Sequence, residues 1–165
     1  VFKSFFSGAL LAALVAVAPV AAKTYTVPDP NPVAVVTIPD DWTATVLPKG
    51  VEGLSDDESV YVAIEVTDLA DAAKSIADAI VWLKSKDVEI DRSTQKQEPI
   101  EFNGMSGVQV KWEGKDEDGP TQVSLTLLQV TDAKGLVLTY WASPEGAKDN
   151  AEALNAIITS LKAVK

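Results

Sequence analysis

The chain is 165 residues long, 47% hydrophobic and 23% charged, with 24 acidic against 14 basic side chains and a net charge of −10. That length buries one sizeable core, and the acidic balance disfavours nucleic acid and anionic lipid as partners. With no cysteine and no histidine, disulfides, thiol chemistry and Ser-His-Asp or Cys-His catalysis are excluded, and a zinc site would have carboxylates alone.

Residues 1–22 have the order of a secretory signal peptide. Lys3 sits in the charged start, Leu10 to Val17 is an unbroken apolar run, and small residues lead to Ala22, after which cleavage is expected. A spanning anchor is the weaker reading, because Ser7, Gly8 and Pro19 interrupt a run that is barely long enough. The leading Val reads as a non-ATG start and hence as bacterial. The expected address is therefore periplasmic or secreted, with no stable membrane insertion after cleavage. Loss of Lys3 with the leader leaves 13 basic against 24 acidic residues, a net of −11.

Residues 23–32 hold Pro28, Pro30 and Pro32, which predicts a stiff extended lead-in rather than a helix or a central strand. A single domain is expected over 33–165. Its first strands read as 33–38, 42–47, a short 51–54, and 59–66, where Val60, Val62, Ile64 and Val66 share one face against Tyr61, Ala63 and Glu65. A helix follows over 69–86. Thr67, Asp68 and Asp71 offer cap chemistry at its start, and Lys84 and Lys86 place cations at its end. Its stripe is Leu69, Ala72, Ala73, Ile76, Ile80 and Leu83, with Trp82 at the edge.

Residues 95–102 read as a strand that Pro99 confines to an edge or a bulge. Asn103-Gly104 is a hairpin signal, returning through 105–113 to an acidic loop over 114–120. A long strand over 121–131 turns at 132–135, with Gly135 expected in the left-handed position. Leu136, Leu138 and Tyr140 then alternate with Val137, Thr139 and Trp141, so both faces are mostly apolar and a central strand covered on both sides is expected. From Ser143-Pro144-Glu145 a helix should run nearly to the end, its stripe being Leu154, Ile157, Ile158, Leu161 and Val164. Leu138 and Leu161 are expected in the core.

Several features together resemble the Mog1/PsbP-like superfamily and its small secreted bacterial members: Ile38-Pro-Asp-Asp-Trp42, the mid-chain helix, Phe102-Asn-Gly104 opening a hairpin, the meander from Thr121 to Ala142, and Ser143-Pro-Glu leading to Ile158-Thr-Ser-Leu-Lys162. The resemblance covers about Val33 to Lys162. It implies an α/β (α+β) fold in which a twisted antiparallel sheet of about six strands is sandwiched between helices. It also implies non-enzymatic work. Plant members assist photosystem assembly, yeast and animal members bind a small GTPase, and many bacterial members have no known role. No motif here matches the GTPase-binding surface, and no functional residue is carried over.

The chemistry offered by the residues themselves is thin. Ser93-Thr-Gln-Lys96 matches a Ser-x-x-Lys pattern without the helix or companion motifs that give it meaning. Gly104-Met-Ser-Gly107 opens a strand and lacks a phosphate loop's ending. The acidic groups Asp40-Asp41, Asp56 to Glu58 and Asp116 to Asp118 fall in turns without calcium-loop spacing. Of the four tryptophans, Trp42, Trp112 and Trp141 read as core, while Trp82 is the candidate partner-binding residue, weighed against simple cover for the sheet margin. The expectation is a monomeric, non-catalytic accessory or assembly factor, without cofactor or metal, that binds an unknown protein partner in the cell envelope. The rival readings are a ligand- or cation-binding protein using the loop Asp116 to Asp118, and a carboxylate-based hydrolase.

Overall fold

The computed structural model describes residues 21–164. The strands are β1 (Ala22–Val27), β2 (Ala34–Pro39), β3 (Thr43–Leu47), β4 (Gly50–Leu54), β5 (Val60–Asp68), β6 (Glu89–Phe102), β7 (Met105–Asp116), β8 (Gly119–Gln129), β9 (Lys134–Ala142) and β10 (Lys162–Ala163). The helices are α1 (Ala72–Ser85), entered through a 3-10 turn Leu69–Asp71, α2 (Pro144–Asp149) and α3 (Ala151–Ser160). Seven strands form one antiparallel sheet in the order β3-β4-β5-β9-β8-β7-β6, and β1-β2-β10 form a second. β9 lies in the middle of the seven, the place its two apolar faces demand. Asn103 and Gly104 take φ 48° and 79°, the paired left-handed values of a tight hairpin. Pro99 lies on β6, an edge strand.

The pleat sorts the side chains into two cores. Val62, Ile64, Leu128 and Leu136 pack with Leu154, Ile157 and Leu161 of the C-terminal segment and with Val36 and Ile38 of the small sheet. Trp112, Val123 and Leu125 pack with Leu83, Ile76 and Ile80 of α1. The large sheet is thus covered by one helix on one side, and by α3 together with a three-stranded sheet on the other. The sheet is one strand larger than expected, and the layer opposite α1 is part strand. Between α3 and the sheet a cavity of about 320 Å³ remains, walled by Leu138, Tyr140, Ile157 and Ile158.

Other expectations are corrected. The lead-in is not outside the domain. Residues 22–27 form β1, laddered on β2 from Ala22↔Pro39 to Val27↔Ala34, with Val27 fully buried. The β-branched and aromatic run Thr24-Tyr25-Thr26-Val27 makes an edge strand, and the prolines are confined to the turn behind it. Residues 1–20, which hold most of the expected signal peptide, lie outside the described residues. Among the described residues no helix is long and apolar enough to cross a membrane. Asp68 and Asp71 make no side-chain cap bond; Asp68 pairs instead with Lys134 at 2.7 Å.

Gly135 is extended within β9 rather than left-handed. Thr131 Oγ1 closes the turn by accepting from the N–H groups of Ala133 and Lys134. The glycine is needed there for space, since a Cβ would come within 2.8 Å of the Leu128 carbonyl oxygen. The closing helix divides at Asn150 and stops at Ser160, after which Lys162 and Ala163 pair with Val35 and Ala34. Leu161 is therefore 0% exposed at the end of α3, while Ile158 and Val164 point partly to solvent. Leu138 is half-buried and packed against the first core.

Candidate functional site

Alternation along β5 aims Tyr61, Ala63 and Glu65 at the α1 side of the sheet. The register places Tyr61 opposite Trp141 of β9, and Ala63 opposite Glu52 of β4. α1 brings Trp82 down onto this spot. The three rings form one cluster, with centroids 4.8 Å apart for Tyr61–Trp82, 5.5 Å for Tyr61–Trp141 and 6.2 Å for Trp82–Trp141. Tilted and edge contacts of this kind suit the ring quadrupoles. Trp82 is half-buried, so one edge faces solvent, and the Lys86 ammonium stands 5.8 Å from its ring centroid. The polar ends are satisfied: Tyr61 donates to Glu52 Oε2 at 2.7 Å, and the Trp141 indole donates to Asp116 Oδ2 at 2.9 Å.

Beside Trp82 opens a cavity of about 360 Å³, bounded by Lys49, Glu65, Ser75, Asp78 and Trp82. Burial holds the Glu65 carboxyl above the usual carboxylate range; Lys49 opposes the shift and Glu52 adds to it. Burial, then the hydrogen bond and charge of Glu52, push the Tyr61 phenol far up, so it stays protonated and acts as a donor. The arrangement supplies an aromatic shelf, the raised Glu65 carboxyl, the Lys74-paired Asp78 and the hydroxyls of Thr67 and Ser75. Such a cleft can stack and hydrogen-bond.

The carboxylates singled out in the turns are not brought together here. The Asp57 carboxylate accepts from Ser55 Oγ at 2.6 Å, from the Ser59 N–H at 3.2 Å and from Asn150 Nδ2, which ties its loop to the start of α3. Asp116 Oδ1 accepts from the N–H groups of Asp118 and Gly119, and its other oxygen is taken by Trp141. The acidic loop thus spends its best ligand on its own turn. Among the described residues no group of three acidic side chains is disposed to hold a metal ion. Ser93 Oγ is bonded to Asp91 rather than to Lys96. Glu52 and Glu65 are the facing carboxylates that sequence reasoning missed. The period of two in β5 already puts Glu65 on the same face as Tyr61, but Glu52 joins them only through a strand register.

Trp42 and Trp112 are buried, and Trp141 is half-buried in the cluster. On the outer side of α1, Ala73 and Ala77 are exposed, and Val81 follows at 69% exposure. The Lys74–Asp78 pair flanks this ridge at 2.6 Å.

No family model and no curated protein matches the sequence. Solved structures do match in shape. The cyanobacterial PsbP protein CyanoP of Synechocystis sp. PCC 6803 superposes with a TM-score of 0.56 at 9% identity, over 93% of this chain and 99% of that one. LpqN of Mycobacterium tuberculosis, described as involved in cell envelope biogenesis, gives 0.53 at 17% identity over 87% and 92%. The fold is PsbP-like. A protein of Bacteroides thetaiotaomicron gives 0.56 at 14% identity, with 87% of this chain spanning 48% of that one. The PsbP-like fold agrees with the mixed α+β class and the large antiparallel sheet expected from the sequence. At these identities the likeness concerns architecture alone.

Proposed function

We propose that this protein is a non-catalytic accessory factor of the cell envelope that captures a protein partner on the outer surface of α1, with Val81 and Trp82 as the apolar anchors. Val81 carries this reading. At 69% exposure it is the most exposed large apolar side chain among the described residues. It adjoins a half-buried tryptophan and continues the ridge Ala73–Ala77, whose short side chains leave the helix backbone open to close approach. Aromatic anchors concentrate binding energy in interfaces. The envelope setting is supported by the leader-like residues 1–22 and by the role stated for LpqN. The non-catalytic part is supported by the engagement of the neighbouring acids, Glu52 with Tyr61 and Asp78 with Lys74.

A photo-crosslinker at Ala77, compared with one at Glu101 on β6, tests the surface in intact envelopes. A discrete adduct is expected at Ala77 alone, and Val81→Glu should abolish it while leaving the circular dichroism unchanged. Equal labelling at both positions, or an adduct indifferent to Val81→Glu, overturns the reading. Turnover on ester, peptide or glycoside substrates that is lost in Glu65→Gln would make the protein an enzyme.

A further inference from the structure

A second cleft on the α1 side has a different character. It holds about 470 Å³ between the last turns of α1 and the start of β6, within the range of small-molecule sites. Ile80, Val88 and Trp112 give it an apolar floor, and Lys84, Arg92 and Gln95 stand around it. Arg92 is the only arginine of a chain whose net charge is −10. The ion pairs among the described residues engage Lys74, Lys111, Lys115 and Lys134. Lys84 and Arg92 are in none of them. The one carboxylate on the cleft wall, Glu89, is held by Lys115 at 2.9 Å. In an acidic molecule this is a local reversal of sign: Lys84 acts on Glu89 only through its charge at a distance, and Arg92 is in no ion pair among the described residues.

The backbone that presents Arg92 is irregular and fastened. The ladder between β6 and β7 breaks register from Asp91 to Lys96. Such breaks re-aim side chains. Asp91 Oδ1 accepts from the N–H and the hydroxyl of Ser93 at 2.9 and 2.6 Å, and Thr94 Oγ1 donates to the Asp91 carbonyl at 2.7 Å. Thr94 Oγ1 also accepts from the Glu113 N–H at 2.9 Å, which sews the bulge to β7. The Trp112 indole donates to Gln95 Oε1 at 3.2 Å, which leaves the Gln95 amide N–H groups to offer. The floor, the Gln95 amide and the backbone that carries Arg92 are therefore in place before any ligand arrives.

We propose that this cleft binds a small organic anion, its flat apolar body against Ile80 and Trp112 and its acid group between Arg92 and Lys84. A planar guanidinium grips a carboxylate, sulfonate or phosphate monoester through two parallel bonds, and Lys84 adds a point charge. Exposed cations alone hold anions weakly, so the apolar floor has to supply much of the affinity. A free inorganic anion cannot use that floor, which makes an amphipathic organic acid the better fit.

Anilinonaphthalene sulfonate is the probe, followed by its own fluorescence and by the Trp112 indole and Gln95 amide signals in nitrogen-proton spectra. Saturable binding that moves those two signals is expected. Arg92→Gln should weaken it about tenfold or more, the loss that goes with one charge-assisted contact. Arg92 is exposed, so the variant should fold as the parent does. Phenylnaphthylamine, which has the same rings without the acid group, and inorganic phosphate, which has charge without the rings, should each bind at least about tenfold more weakly. Equal affinity for the neutral amine overturns the anion half of the proposal. Equal affinity for phosphate overturns the apolar half. Probe signals that leave Trp112 unmoved, or binding indifferent to Arg92→Gln, overturn it altogether. None of these readouts depends on Val81 or on a protein partner.

Discussion

On one face of the seven-stranded sheet, Val62, Ile64 and Leu136 lie under α3 and a second sheet. On the other face, one residue along the same strands, Tyr61, Glu65 and Trp141 lie beneath α1 alone. Where the first face is fully buried it is mostly aliphatic, with Trp42 the one buried ring and Tyr25, Phe102 and Tyr140 at its margin, and its cover comes from both ends of the chain. The second mixes rings, carboxylates and cations under a single helix, and two clefts open along it. An aliphatic core gains from total exclusion of water, whereas a helix on an aromatic and polar floor leaves edges wet. Stability should therefore be concentrated on the first face and recognition on the second.

The largest test of this division is Leu161→Ala. Leu161 is 0% exposed where α3 meets the small sheet. Its truncation should cost about 2–5 kcal/mol in denaturant unfolding. A loss below about half a kilocalorie would mean that the C-terminal layer contributes no core. Trp82→Ala strikes the opposite face. Its ring is half-buried against Tyr61 and Trp141, so the expected cost is about 2 kcal/mol, roughly half that of a fully buried tryptophan. Near-ultraviolet dichroism should change and far-ultraviolet dichroism should not. A global unfolding by this variant would erase the distinction between the faces.

What was legible in the sequence was whatever repeats locally. The period of two in β5 and β9 sorted both faces, and Asn103-Gly104 announced its hairpin through the φ values it has to adopt. What was illegible depended on partners far along the chain. The stripe Leu154 to Val164 is helical by spacing, yet residues after Ser160 leave the helix because β2 offers a free edge; the Val164 N–H closes on the Val33 carbonyl at 2.9 Å. Residues 23–27 looked like a lead-in because nothing nearby in sequence says that β2 has another edge to cover. The chemical clefts were hidden for the same reason. Glu52 reaches Tyr61 through a strand pairing, and Arg92 shares a cleft with Lys84 and Trp112 only because α1, β6 and β7 are packed together. The half-burial of Trp82 follows from its position at the edge of a helical stripe, which is a local property.

The smallest test is the sharpest, because the two sides should respond to pH with opposite sign. Glu65, on the α1 side, has its carboxyl raised by burial, so the folded state holds its proton more tightly than the unfolded chain does. Its charge is then a cost at neutral pH, and the cost is relieved as pH falls through the raised value. Asp57, whose loop is pinned to Asn150 beside α3, is lowered to about 2, first by the Ser55 hydroxyl and then by Ser59. Its contribution is fully present above the ordinary carboxylate range, and is lost as pH falls from about 4 towards about 2. Glu65→Gln should therefore stabilise the protein at pH 7, with the gain vanishing below about pH 4. Asp57→Asn should destabilise it at pH 7, with the loss vanishing near about pH 2. Asp57 is exposed and Glu65 half-buried, so each effect should be about 1 kcal/mol or less. Urea unfolding of the two variants across this pH range reads the signs directly. A Glu65→Gln variant that is less stable than the parent at pH 7 would mean that Lys49 outweighs burial, and that the cleft beside Trp82 is an ordinary ion-paired surface.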